Sequence, residues 1–274
     1  MKRRHRRNTI VRFAILLGGL VFIIVPYLWI ILTAFKRPVD AAAVPPEIFS
    51  PFTTKNLSAL VEGPFAGSLV SSVIITVLTT VATLVLGVPA GYAFARGHFS
   101  GRNFFVGWLL LSRMVPPVIF IIPLFLYFHQ LKLVDSYLGL TLAYLTGLLP
   151  FTIWLSASYF QDIPLELEEA ARIDGASRAR TFISVVLPLA RPGILTIGLL
   201  IGIAAWSEYF IPLILAGVNT TPATVGLVNF IGVDTINWGA LAAGALALVI
   251  PTFIVTLLAQ RGMLRGLSAG AVKG

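Results

Sequence analysis

Six stretches of this chain run for more than twenty residues with almost no charge: about 13–35, 68–95, 104–128, 138–160, 189–215 and 237–260. A helix needs about 20 apolar residues to cross a hydrocarbon core of about 30 Å. Inside lipid no water satisfies a free backbone N–H or C=O, so segments of this length must close their hydrogen bonds internally, as helices do. The pattern therefore predicts an all-α membrane protein with six transmembrane helices. Composition agrees, because 57% of the 274 residues are hydrophobic and only 11% charged, against about 25% charged in a soluble domain. Pro26, Pro89, Pro123, Pro212 and Pro251 fall inside the stretches; neighbouring helices can satisfy the carbonyls they free. Small residues gather in the fifth and sixth (Gly198, Gly202, Ala204, Ala205; Gly239, Ala242, Ala243, Gly244), where they allow close helix approach.

The net charge of +9 does not point to nucleic acid, because the basic residues flank the apolar stretches. Lys and Arg collect on the cytoplasmic side of a membrane. With the N-terminus inside, fifteen of the 20 basic residues fall on cytoplasmic segments. They are Lys2, Arg3, Arg4, Arg6, Arg7 and Arg12 before the first span, Arg96 and Arg102 after the second, Arg172, Arg178, Arg180 and Arg191 between the fourth and fifth, and Arg261, Arg265 and Lys273 in the tail. Four (Lys36, Arg37, Lys55 and Lys132) fall outside. Both termini are thus expected in the cytoplasm, as a basic segment 1–12 and a tail 261–274 around a permeation domain at 13–260. Residues 13–35 are too long for the apolar core of a signal peptide and carry Tyr27 and Trp29 near one end, so they read as a retained span; the Ala41-Ala42-Ala43 run is the one feature favouring cleavage. The Pro-rich segment 36–67 and the segment 216–236, free of Lys and Arg, are external surfaces, either solvated connectors or docking sites. No cysteine is present.

Residues 161–188 form the longest cytoplasmic loop, and its composition is helical. Asp162 can cap a helix whose first turn holds Pro164, Glu166 and Glu168, an acceptor, a preset φ and anions at the positive end of the helix dipole. The helix runs on through Glu169, Ala170, Ala171 and Arg172, and Leu165, Leu167 and Ala171 can share an apolar face. Asp174-Gly175 breaks it, since Gly tolerates the left-handed backbone of a helix end. A second short helix from Ala176, with Phe182, Ile183 and Val186 facing inward, ends at Leu187-Pro188. Such an elbow can either fit a cleft on a moving partner or lie unpartnered at the membrane interface.

The spacing Glu169-Ala170-Ala171, Asp174-Gly175-Ala176 and Leu187-Pro188 resembles the Glu-Ala-Ala loop of ATP-binding-cassette import permeases. In that family the loop forms the coupling helices, which sit in a groove of the ATPase subunit. The chain as a whole is similar to the maltose-type permeases of the carbohydrate-uptake group. The shared pieces are Phe35-Lys36-Arg37-Pro38, Arg113-Met114 with Pro116-Pro117, Trp206-Ser207-Glu208-Tyr209 and the tail from Gln260-Arg261 to Lys273-Gly274. At Ser207 many relatives have Asn. The resemblance implies the type I importer fold and a place in the bacterial inner membrane. It also implies a second permease subunit in a heterodimer, two ATPase subunits and an extracytoplasmic solute-binding protein. The coupling residues it implies are Glu168, Glu169, Ala170, Ala171, Asp174, Gly175, Ala176, Leu187 and Pro188. No G-x-x-x-x-G-K-[ST] loop occurs in the sequence, so ATP and its magnesium belong to the partner ATPase, and this chain is expected to bind no cofactor and catalyse no reaction. A sugar or sugar-like solute is the expected cargo. The rival readings are a permease for amino acids, peptides or polyamines, and an ATP-independent carrier.

Arg113 and Glu208 are the charges placed within spans, where ionisable groups are functional candidates. At 1.5 Å per residue they lie roughly 14 Å and roughly 28 Å from the cytoplasmic ends of their helices, so each needs a partner other than its fellow. Arg113 can bond carbonyls freed near Pro116-Pro117 or line the path. Trp206, Glu208 and Tyr209 combine aromatic faces with a carboxylate, which suits the C–H faces and hydroxyls of a sugar; a helix-packing role for Trp206 is the competing reading. His5, His98 and His129 show no metal-ligand spacing, and no active-site constellation is present.

Overall fold

The computed structural model describes residues 2–270 apart from 98, 99, 113, 115, 233 and 234; side chains are described from 12 to 258, apart from those positions and 103, 106, 110, 117 and 118. The helices run in order α1 (Lys2–Ala34), α2 (Pro38–Ala41), α3 (Lys55–Glu62), α4 (Phe65–Arg96), α5 (Arg102–Ser112), α6 (Pro117–Gln130), α7 (Tyr137–Gln161), α8 (Glu166–Ile173), α9 (Arg178–Thr181), α10 (Leu187–Trp206), α11 (Phe210–Leu215), α12 (Ala223–Gly226) and α13 (Trp238–Gly270). A π-turn fills Phe182–Val186 and a 3-10 turn Leu227–Phe230. Among the described residues there is no strand, only an antiparallel bridge between Ile231 and Ile236.

Among the described residues, five helical segments are long and apolar enough to cross a membrane: Arg12–Ala34, Phe65–Arg96, Tyr137–Gln161, Arg178–Trp206 and Trp238–Leu258. The third expected span, 104–128, is instead two shorter helices, α5 of 11 residues and α6 of 14 residues. Pro116 and Pro117 explain the break. Neither has an N–H to give, and a residue before proline is driven out of the α region. Pro116 accordingly has ψ 130°, and Pro117 opens α6. Arg113 lies outside the described residues. The fifth stretch is also divided, with α10 stopping at Trp206 and α11 starting at Phe210.

The chain divides into two units. The first comprises residues 1–66 and 226–250. Its α1 exposes every side chain from 12 to 29. At the end of α1 the buried Asn56 donates Nδ2 to the carbonyls of Ala34 and Lys36, at 2.9 and 2.8 Å. Phe35 stacks on Phe52 at 4.7 Å, and the ammonium of Lys36 sits 4.4 Å over the Trp29 ring.

The second unit comprises residues 67–225 and 251–274. Here α4 and α7 meet closely at Gly91, where an added Cβ would lie 2.5 Å from Ser156 Cβ and 2.9 Å from the Ile153 carbonyl. One apolar cluster gathers Ile75, Phe128, Leu140, Tyr144, Ala205 and Leu215. Another, about 20 Å further along α4 at 1.5 Å per residue, gathers Val88, Phe160, Ile163, Val186 and Ala190. This second cluster is the floor on which the segment 162–188 is laid.

Candidate functional site

The segment 162–188 is ordered by three local devices. The first is the stop of α7. Asp162 is the C-cap of that helix, its N–H bonded to Tyr159 O. It does not cap α8, contrary to the expectation from sequence; Leu165 holds that position and makes no side-chain cap. Pro164 accounts for the gap between the helices, because it cannot continue α7.

The second device is the end of α8. Gly175 N–H bonds Arg172 O at 3.1 Å and Ala176 N–H bonds Ala171 O at 3.0 Å. This pair of bonds is the Schellman closure, which needs a left-handed residue at its turn. Gly175 supplies it with φ +88°, and no atom lies within 4 Å of where a Cβ would stand. The requirement for Gly is therefore in the backbone and not in crowding.

The third device is the joint to the next span. Ser177 caps α9 by accepting from Arg180 N–H at 3.3 Å. From Arg178 the helix then runs without interruption to Trp206. The short helix expected to end at Leu187-Pro188 does not end there; it continues through the π-turn into α10. A proline ring collides with the carbonyl four residues back, here Ser184, and the wider turn accommodates it. Leu187 N–H reaches Phe182 O across that turn. Val186 is fully buried and Phe182 packs against the second cluster, but Ile183 is 61% exposed, against the inward orientation expected for it.

What holds α8 down is a carboxylate. Glu168 is the one buried side chain of α8. Its Oε1 accepts from Arg96 Nε at 2.7 Å and its Oε2 from Tyr92 Oη at 2.6 Å. Arg96 Nη2 also donates to Ile163 O at 2.7 Å. Tyr92 is in turn seated against Phe182 and Phe160, at 4.7 and 5.5 Å between ring centres. With Glu168 turned inward, α8 presents its apolar side chains outward. Leu165 is 49% and Leu167 44% exposed, with Ile173 at 86%, so the apolar side chains face away from the bundle. Beside them, Glu169, Arg172, Ile173, Gly175, Ser177 and Arg178 line an open depression of about 650 Å³.

Trp206, Glu208 and Tyr209 stand at the break between α10 and α11. All three are partly buried. Glu208 Oε1 accepts from Phe210 N–H at 2.9 Å and Ile211 N–H at 3.2 Å, so the carboxylate caps the helix that follows the break. Thr224 Oγ1 donates to the Glu208 carbonyl at 2.8 Å.

Asp135 was not singled out from the sequence. It stands at φ +54° before α7 and accepts from Gly217 N–H, Thr220 Oγ1, Asn219 Nδ2 and Asn219 N–H at 3.0, 2.8, 2.8 and 3.3 Å. Burial alone raises its pKa, but the bonds from Thr220, Asn219 and Gly217 outweigh it and hold the carboxyl below its ordinary value. Its partners lie 82–85 residues away, and no local pattern announces such a pairing.

The profile described as "Binding-protein-dependent transport system inner membrane component" matches residues 85–262. This chain belongs to that family. The match includes the whole segment from Tyr92 to Pro188, and hence α8 and its anchor. The permease is 36% identical over 257 residues to a trehalose transport system permease protein of Mycobacterium tuberculosis, covering 92% of this chain and 93% of the relative. It is 33% identical over 279 residues to a trehalose/maltose transport system permease protein of Thermococcus litoralis, covering 98% and 99%. Among solved structures, a bacterial ABC transporter involved in the import of the acidic polysaccharide alginate contains a chain with TM-score 0.80 and 26% identity, covering 93% of this permease and 96% of that chain.

Proposed function

We propose that this permease is one subunit of a heterodimeric, ATP-driven importer that brings a sugar or sugar-like solute across the bacterial inner membrane. The observation that carries the reading is the outward-turned apolar edge of α8, Leu165, Leu167 and Ile173, set beside an open depression on a helix closed by Gly175. Exposed apolar groups in water beside a formed concavity call for a protein partner. The partner proposed is the ATPase subunit, which holds ATP and magnesium.

In this reading both termini are cytoplasmic, residues 13–260 form the permeation domain, and the interrupted α5–α6 pair completes a sixth crossing. ATP binding closes the ATPase pair. Its grooves move Glu169, Ala170, Ala171, Asp174, Gly175 and Ala176, and the continuous helix from Arg178 through Leu187-Pro188 to Trp206 carries the displacement into the bundle. Solute delivered by the external binding protein passes Trp206, Glu208 and Tyr209, and Arg113 is a further candidate for the path. The sugar class rests on the named relatives and on the chemistry of that aromatic and carboxylate group.

Purification of the chain from its native membrane tests the reading. An ATPase should co-purify in stoichiometric amount, and Glu169→Lys should weaken its retention. Absence of any ATPase would refute the proposal. For the cargo, thermal-shift screening of the cognate binding protein against a sugar panel should find a stabilising sugar; stabilisation by amino acids or peptides alone would reassign the solute.

A further inference from the structure

A buried carboxylate is an unusual anchor for a surface helix. Eight residues, Glu166–Ile173, form α8, and none of its apolar side chains is buried. Its grip on the bundle is Glu168, whose side chain is 6% exposed beside Arg96 at 18%. Both carboxylate oxygens are used, one by Arg96 and one by Tyr92. Arg96 uses a second nitrogen on Ile163 O, at the point where the chain leaves α7 for α8. Three segments, α4, the 162–165 link and α8, therefore meet at one guanidinium.

The position of these groups on α4 matters. Arg96 is the last residue of that 32-residue helix and Tyr92 lies one turn before it. A force applied at Glu168 thus enters α4 at its end and along its length. An apolar contact slides; a charged pair with directional hydrogen bonds resists displacement in every direction, and a planar guanidinium fixes orientation as well as distance. The ring of Tyr92 is meanwhile wedged against Phe160 of α7 and Phe182 of the π-turn, so its hydroxyl is held at the carboxylate.

We infer that Glu168, Arg96 and Tyr92 are positioning residues that couple α8 rigidly to α4, so that motion received by α8 tilts α4 together with the Arg178–Trp206 helix. The inference rests on the importer reading above and adds a second route into the bundle. Without this anchor, α8 keeps its packing against the 178–186 segment but loses its ion pair to α4, and the ATPase can move it without moving α4.

The test uses the assembled complex in proteoliposomes and measures solute moved per ATP hydrolysed. Arg96→Met should keep the ATPase bound and hydrolysing while that ratio falls about tenfold, a modest coupling energy between two sites, and Glu168→Gln should lower the ratio by a similar factor. The exchanged pair Arg96→Glu/Glu168→Arg should recover part of the ratio, and only part, because a carboxylate at position 96 then faces the Ile163 carbonyl. Tyr92→Phe removes one bond and no charge and carries the test should the charged variants fail to accumulate; it should lower the ratio by about two- to threefold, the effect of one hydrogen bond. An unchanged ratio in Tyr92→Phe, or in the charge variants that assemble, overturns the inference. Loss of hydrolysis in proportion to uptake, at constant ratio, also overturns it. If no ATPase accompanies even the unsubstituted chain, the importer reading fails instead.

Discussion

At the scale of single residues, two positions make demands that can be measured separately. Gly175 sits at φ +88° with empty space where a side chain would be, so substitution there tests backbone conformation alone. A β-branched residue in the left-handed region costs about 1–2 kcal/mol, whereas Asn visits it more readily. Gly175→Val should therefore reduce uptake severely while lowering the melting temperature by only a few degrees, and Gly175→Asn should retain most uptake. Equal uptake by both variants would remove the Schellman turn from the mechanism. Asp135 works through its side chain. Its carboxyl titrates below the ordinary value in the folded protein, so the stability it adds is fully present above the unfolded-state pKa and is lost as pH falls through the folded one. Asp135→Ala should cost about 1–2 kcal/mol at neutral pH for a partly buried charged acceptor. The difference from the unsubstituted chain should shrink as the carboxyl protonates in acid; thermal unfolding in detergent at falling pH reads it.

At the scale of elements, the helices differ in how much of their behaviour could be read in advance. Length and apolarity announce α4, α7 and α13 directly, because crossing lipid leaves a helix few alternatives. The two interrupted spans were harder. Pro116-Pro117 is visible as a breaker, yet apolarity continues across it; nothing apolar stops at Ser207 either. Glu208 marks that break, but its use as a cap depends on the N–H groups of Phe210 and Ile211 pointing at it. Substitution separates capping from solute contact. Glu208→Ala removes the acceptor and should lower stability by about 1 kcal/mol; Glu208→Gln keeps an oxygen there and should preserve stability. A Glu208→Gln variant with unchanged apparent affinity and rate of uptake would take this residue out of the solute path. Between α4 and α7, Gly91→Leu should cost at least 1–3 kcal/mol by overpacking, because the Ile153 carbonyl and Ser156 Cβ already occupy that space. Normal accumulation and stability of that variant would mean that the two helices part easily at this point.

At the scale of the whole molecule, the loop spacing from Glu169 to Pro188 was legible because its signal is local: a helix, a Gly closure and a proline joint, each within a few residues. The reason the loop stays in place was not legible. Arg96 marks topology in the sequence, and Tyr92 lies unremarked inside an apolar run; their meeting with Glu168 spans 72 and 76 residues. The same distance hides the clasp of Asp135 with the 217–220 segment. A membrane chain of this kind shows its helices openly and conceals its polar fasteners, which are few and long-range. The central claim, that motion delivered to α8 by an ATPase drives solute through the bundle, is tested most directly by uptake into proteoliposomes containing the purified complex. With the binding protein and labelled sugar on one side and ATP on the other, uptake should require hydrolysable ATP and stop with a non-hydrolysable analogue. Uptake that proceeds without ATP, or from a preparation containing no ATPase, would contradict it.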